Sequence, residues 1–226
     1  TETAPEVLAL LDSLGVQHDQ PYELIEHHVL PYHTPQGFEK ADRPALLGQV
    51  RYLRDKFDAY LEKARDGHSE ESALEALRSG LYLGSKREED DVWYFEQPTS
   101  LYLGKEYRPD FNIEGLLGDT LPTGKVLSEK YIVKPTGRPN KDEVAVDLQR
   151  WREFFVRIGV HEAPKVTPQT TGDVACSDEL SALLRAEDQT VRRATLECLN
   201  KHWARYDRLT TYQARSGRST TQPLWT

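Results

Sequence analysis

The chain has 226 residues and a formal charge of −8, from 29 Lys and Arg against 37 Asp and Glu. Hydrophobic residues make up 38% and charged residues 29%, a polar-rich balance that still supplies a core for one large domain or two small ones. No apolar run approaches the ~18 residues of a membrane-spanning helix, and the start Thr1-Glu2-Thr3-Ala4-Pro5 lacks the basic and apolar parts of a secretory signal.

Two cysteines, Cys176 and Cys198, cannot by themselves form a disulfide framework or a four-ligand zinc site. A reducing, cytoplasmic setting is therefore expected. No methionine occurs anywhere, the first position included. That fits either an excised piece of a longer chain or a sequence from which modified methionines have been left out.

In chain order, Val7, Leu10, Leu11 and Leu14 make a helical stripe that Gly15 stops. Pro21 to Pro31 reads as a short helix closed by proline. Asp42-Arg43-Pro44 supplies an N-cap and an early-turn proline for a helix running to about Arg65. Its stripe is Leu46, Leu47, Val50, Leu53, Phe57, Tyr60 and Leu61. Ser69 to Arg78 is another short helix, and Gly80 to Gly84 reads as a strand. The acidic run Glu88-Glu89-Asp90-Asp91 is a turn tip before the β-prone Val92-Trp93-Tyr94-Phe95. Residues 108–125 are irregular or short helix, Leu127 to Val133 is apolar, and Pro135 to Lys141 is a loop. Asp147 is expected to cap a helix bearing Leu148, Trp151, Phe154, Phe155 and Ile158, stopped at Gly159. Residues 161–177 look loop-like. Helices resume over Leu180 to Leu184 and from Asp188 to about Tyr206.

The chain then starts over. Leu10 to Val16 matches Phe154 to Val160 at an offset of 144; Leu53 to Tyr60 matches Leu199 to Tyr206 at 146; Gly80-Leu81-Tyr82 loosely matches Pro223-Leu224-Trp225 at 143. Three matches in one order at nearly one spacing point to an internal repeat. The expected architecture is helix-rich α+β: residues 1–145 as one unit, with helices over about 6–78 and short strands over about 80–133, and 146–226 as the helical start of a second, truncated copy.

Few residues suggest chemistry. His18, Glu26, His27, His28 and His33 are clustered, but adjacent histidines point to different helix faces and no zinc-ligand spacing is present. Gly118 to Val126 resembles a phosphate loop only loosely. It has one residue too many between its glycines, Pro122 removes an amide donor, and Val126 replaces the magnesium-binding hydroxyl. Acidic pairs such as Asp90-Asp91 and Asp142-Glu143 sit in polar surroundings that leave carboxylates ordinary. Arg192, Arg193, Lys201, Arg205, Arg208, Arg215 and Arg218 form a basic stretch, but Glu187, Asp188, Glu197 and Asp207 interleave with them, as on a solvated helix face. Aromatics such as Trp93, Tyr94, Phe95, Tyr102, Tyr107, Tyr131, Trp151, Trp203 and Tyr206 are core residues or interface anchors, with Trp93 and Tyr102 as candidate anchors.

The order of these pieces resembles the repeats of sacsin and related Nov-type proteins. The resemblance rests on the helix ending Leu14-Gly15-Val16, on Tyr22 to Pro31, and on Pro98-Thr99-Ser100-Leu101-Tyr102-Leu103. It continues through Ser128 to Ile132 and Trp151 to Val160, and so covers nearly the whole chain. It implies a chaperone-like or scaffolding role beside a Bergerat-fold ATPase domain, with defence a further role among bacterial relatives. The ATPase site does not carry over, because neither its Asp-x-Gly-x-Gly motif nor its glycine-rich lid is present. The expectation is a non-catalytic protein-interaction module that binds other parts of its parent chain or a protein partner. No catalytic, cofactor-binding or metal-ligating residue is assigned, and neither membrane nor nucleic acid is the expected partner. The alternatives are a nucleic-acid-binding defence component using the Arg192–Arg218 stretch, and a metal-dependent enzyme at the histidine cluster.

Overall fold

A computed structural model describes residues 21–38, 42–65, 69–85, 94–118, 121–122, 124–132, 141–168, 174–204, 206, 211–213 and 219–221. The chain is helix-rich α+β and divides along its sequence into two compact units, Thr1–Leu81 and Tyr82–Thr226. The stripe ending at Gly15, Trp93 and the segment Pro223-Leu224-Trp225 lie outside the described residues.

In the first unit, α1 (Pro21–Leu24) widens into a π-helical turn, Ile25–Val29, and tightens into a 3-10 turn, Leu30–Tyr32. Next come α2 (Arg43–Asp55), α3 (Phe57–Arg65) and α4 (Glu70–Gly80). Asp42 caps α2 by accepting from Ala45 N at 3.0 Å, and Ser69 caps α4 by accepting from Ser72 N at 3.1 Å. Each such cap satisfies an orphan amide and is worth ~1 kcal/mol. The helix expected to run unbroken to Arg65 turns at Lys56 instead, where φ is −107° and ψ is 11°. The turn lets Phe57, Tyr60, Leu61 and Ala64 join Leu46, Val50 and Leu53 in one core. Tyr60 stacks on Tyr22, and its hydroxyl donates to Glu26 Oε1 at 2.7 Å.

The second unit begins with β1 (Leu83–Ser85), which pairs antiparallel with β2 (Tyr94–Glu96). The expected strand at Gly80 starts three residues late because the helical ladder persists: Leu81 N still donates to Leu77 O. Single bridges widen this ribbon. Ser85 pairs with Leu127, while Tyr102 pairs with Val126 on one side and His161 on the other. The bonds Tyr102 N to Lys125 O, Leu127 N to Tyr102 O, Leu103 N to His161 O and His161 N to Leu101 O hold Leu101-Tyr102-Leu103 at the centre. All three residues are buried.

Beyond β2 lie α5 (Ile113–Leu117), α6 (Lys141–Arg157), α7 (Asp178–Arg185) and α8 (Gln189–Lys201). Helix α6 starts six residues before the expected cap, so Asp147 is an interior residue. Asp142 and Glu143 stand in its first turn, where the helix dipole favours carboxylates. Its far end turns on Gly159, whose φ is 109°. There Val160 N reaches back to Phe155 O and Gly159 N to Val156 O, a Schellman-type close.

Trp151 and Phe155 of α6 stack at 5.2 Å, with Tyr107 edge-on to Phe155 and Tyr131 tilted beside it. Tyr107 donates to Ser128 O, and Tyr131 accepts from Gly84 N. This packing ties α6 to residues 82–132, which is why the compact boundary falls at Leu81/Tyr82 and not near residue 145. A second cluster joins Tyr102, Phe111, Ile113, Leu180, Leu183, Leu199 and Tyr206.

The 161–177 segment, expected as loop, contains a hairpin of β3 (Val166–Pro168) and β4 (Val174–Cys176). Further along, β5 (Thr211–Gln213) pairs with β6 (Ser219–Thr221). No helix among the described residues is long and apolar enough to cross a membrane.

Candidate functional site

Asp188 starts α8 by accepting from Thr190 N at 2.7 Å, and the helix runs thirteen residues to Lys201. It ends at His202, where φ is −98° and ψ is 16° and the backbone N–H reaches Cys198 O. The first-unit helix α2 has the same plan 146 positions earlier: Asp42 as cap, thirteen residues, and a turn at Lys56 whose N–H reaches Tyr52 O. Leu53 and Leu199 are buried alike, as are Tyr60 and Tyr206.

The inner face of α8 is Thr195, Cys198 and Leu199, with Tyr206 beyond the turn donating to Pro164 O at 2.8 Å. Its outer face carries Arg192 and Arg193, with Leu196 51% and Trp203 40% exposed. Large apolar groups half in water, Leu196 on the helix and Trp203 just past its turn, are candidate anchors, because Trp and Arg dominate interaction hot spots. Arg193 is tied to Glu197 at 2.8 Å within the helix.

Beside this face a cleft of about 530 Å³ separates α8 from α5, lined by Asp110, Phe111, Leu116, Glu197, Cys198 and Lys201 among others. Lys201 Nζ donates to Asp110 Oδ2 at 2.7 Å. Arg152 stands between Asp110 and Glu162, at 3.9 and 3.6 Å. The Lys201 hydrogen bond holds the Asp110 carboxyl below its ordinary range despite partial burial, with the Lys201, Arg152 and His202 charges adding to it. Burial pushes the Cys198 thiol up to about 12, and the Glu162 and Asp110 charges add to that. The thiol therefore stays protonated at neutral pH and lacks the thiolate a nucleophile needs.

A smaller polar pocket of about 300 Å³ lies at the start of α7, bordered by Thr99, Tyr102, Lys125, His161, Lys165 and Glu179 among others. Its basic side chains hold the fold together: Lys165 Nζ donates to Thr99 O at 3.1 Å, and His161 Nε2 sits 3.0 Å from the same oxygen. Tyr102, expected as a possible anchor, is only 3% exposed, and its hydroxyl accepts from Lys165 N at 3.3 Å. Burial pushes that hydroxyl up to about 12. Tyr102 is thus a core residue, because the strand-like alternation around it turns it into the second cluster.

The other sequence candidates disperse. His27 and His28 are exposed on the π-helical turn, while His33 is buried edge-on to Phe38. Glu26 is engaged by Tyr60, and His18 lies outside the described residues. Among the described residues no group of three His, Cys, Asp or Glu side chains is placed to hold a metal ion. In the glycine-rich stretch, Gly118 ends α5 with φ 49°, and Val126 is buried beside Tyr102. Arg205, Arg208, Arg215 and Arg218 lie outside the described residues, which leaves Arg192, Arg193 and Lys201 of the basic stretch on α8.

Sequence reasoning missed Leu196 as an outward-facing residue. Its position in an apolar helix stripe matches that of Val50, and only the packing separates them. No protein-family model, no curated protein and no solved structure matches this chain.

Proposed function

We propose that the chain is a non-catalytic protein-interaction or scaffold module, cytoplasmic, of a larger chaperone-like protein of the sacsin and Nov kind that carries a Bergerat-fold ATPase domain. The observation that carries the reading is the recurrence, 146 positions apart, of an Asp-capped thirteen-residue helix closed by the same turn. A module built from copied parts presents repeated surfaces, and repeat scaffolds use such surfaces to bind. The side chains around α8 support the same reading. The Cys198 thiol is held neutral, and Lys201 and Arg193 are committed to carboxylates. Those ion pairs and the interleaved acids also weaken the phosphate-binding alternative, which needs uncompensated cations.

Light scattering from a heat-unfolded reporter enzyme tests the proposal. The intact chain is expected to suppress the scattering near equimolar ratio, equally with and without ATP. No suppression at tenfold excess contradicts the chaperone-like role. Stoichiometric zinc or iron in the purified protein contradicts the non-catalytic one.

A further inference from the structure

We infer that the outer stripe Arg192, Leu196 and Trp203 of α8 and its exit turn is a docking face for an acidic amphipathic helical segment of a protein partner. The segment would carry two apolar side chains one turn apart and a neighbouring carboxylate. The inference rests on the repeat reading above, and it starts from a mismatch between the two copies.

Aligned by their caps, α2 and α8 share buried Leu53/Leu199 and Tyr60/Tyr206. Three other positions differ. Leu46, Val50 and Phe57 are buried, Val50 completely and Phe57 to 4% exposure, whereas their equivalents Arg192, Leu196 and Trp203 are exposed. The apolar character at two of the three is kept while the cover is not. In the first unit α2 lies against the turn Ile25–Val29, and Gln49 Nε2 donates to His28 O at 3.2 Å. That turn and α1 before it are amphipathic: Ile25 and Val29 are buried, and Glu23 and Glu26 stand on the same stretch. At the same offset the described part of the second unit, Val174–Cys176, is the strand β4 and not a helical turn.

The charges select the occupant. Where α2 has Leu46, α8 has the exposed Arg192, while Arg193 beside it is held by Glu197. A segment of the Ile25–Val29 kind would bring carboxylates to this edge and an i, i+4 apolar pair to Leu196 and Trp203, which is helix-in-groove recognition. Two copies packed parallel through this stripe would set Arg192 near Arg192, whereas a carboxylate on the incoming segment meets it directly. A nucleic acid would satisfy Arg192 but leave Leu196 without an apolar partner.

The test titrates a fluorescein-labelled peptide of residues 21–33 with the intact chain and reads anisotropy at low salt. Saturable binding is expected. Leu196→Asp and Trp203→Ser in the chain should each weaken it at least tenfold, as should Ile25→Asp in the peptide. Both chain positions are exposed, so circular dichroism melts should match the unchanged protein. No saturable binding, or binding unaffected by both chain substitutions, overturns the proposal. So does a labelled single-stranded oligonucleotide that saturates the chain and is lost on Arg192→Glu while the peptide stays unbound. If peptide binding fails but reporter-enzyme scattering is still suppressed, the docking face falls and the module reading stands; if both fail, both fall.

Discussion

Replacing Phe155 by Ala should unfold the second unit's aromatic core at far lower temperature. The ring is fully buried and touches four others. It stacks on Trp151 at 5.2 Å and 15°, meets Tyr107 edge-on at 5.6 Å, and lies 5.5 Å from Tyr131 and 5.2 Å from Phe154. Truncating a buried Phe costs about 3–5 kcal/mol, and aromatic pairing adds ~0.5–1.5 kcal/mol per pair beyond burial. With so many partners the loss belongs in the upper half of the range, about 4–5 kcal/mol. For a cooperative unit of this size that corresponds to a fall in Tm of roughly 8–20 °C. Scanning calorimetry measures it, with near-ultraviolet circular dichroism reporting the aromatic packing. Val146→Ala on the same helix is the control: Val146 is 55% exposed, and the change should stay within about 0.5 kcal/mol. A loss below ~1.5 kcal/mol for Phe155→Ala would mean that the ring is not enclosed as described.

Three further outcomes follow from individual residues. Gly159→Ala forces an L side chain into a φ of 109° and should cost at least ~1 kcal/mol in urea unfolding, with no matching loss for Gly48→Ala inside α2, where a Cβ meets open space. Asp110→Asn removes a carboxylate whose folded-state pKa is lowered by the Lys201 hydrogen bond. The stabilisation is present above the unfolded carboxyl pKa and lost as pH falls through the folded value, so variant and parent should differ at pH 7 and converge in acid. Both partners are about half exposed, so the difference should be no more than ~1 kcal/mol in urea titrations. Cys198, buried with its thiol near 12, should alkylate roughly a thousandfold slower at pH 8 in the folded chain than in urea; mass spectrometry of its tryptic peptide reads the rate.

What the sequence made legible is what short-range chemistry encodes. Asp42, Ser69 and Asp188 announce helix starts because a side-chain oxygen at that place satisfies an orphan amide. Gly159 announces a stop because it accepts a left-handed backbone. The breaks at Lys56 and His202 were hidden, since neither Gly nor Pro marks them and the apolar stripe runs through. The true start of α6 was hidden by Pro139 and the polar residues that follow it, which read as loop. The placing of Leu101-Tyr102-Leu103 between residues 126–127 and 161 depends on partners 24 and 59 positions away, and no local pattern carries that. The candidate surface was hardest of all. Leu196 and Val50 hold the same place in the same kind of stripe, and exposure depends on which neighbour the rest of the chain supplies.

The claim beneath the whole account is that positions near 42–60 and 188–206 descend from one building block. An experimental structure of the full chain tests it most directly, by extending the comparison to Gly15, which lies outside the described residues, and its counterpart Gly159. The account predicts that the helix before Gly15 closes as α6 does, with Gly15 at positive φ and Val16 N reaching back to Leu11 O, while 42–60 superposes on 188–206 through both turns. A Gly15 in ordinary helical or extended backbone, or a helix that runs straight through His202, would contradict it.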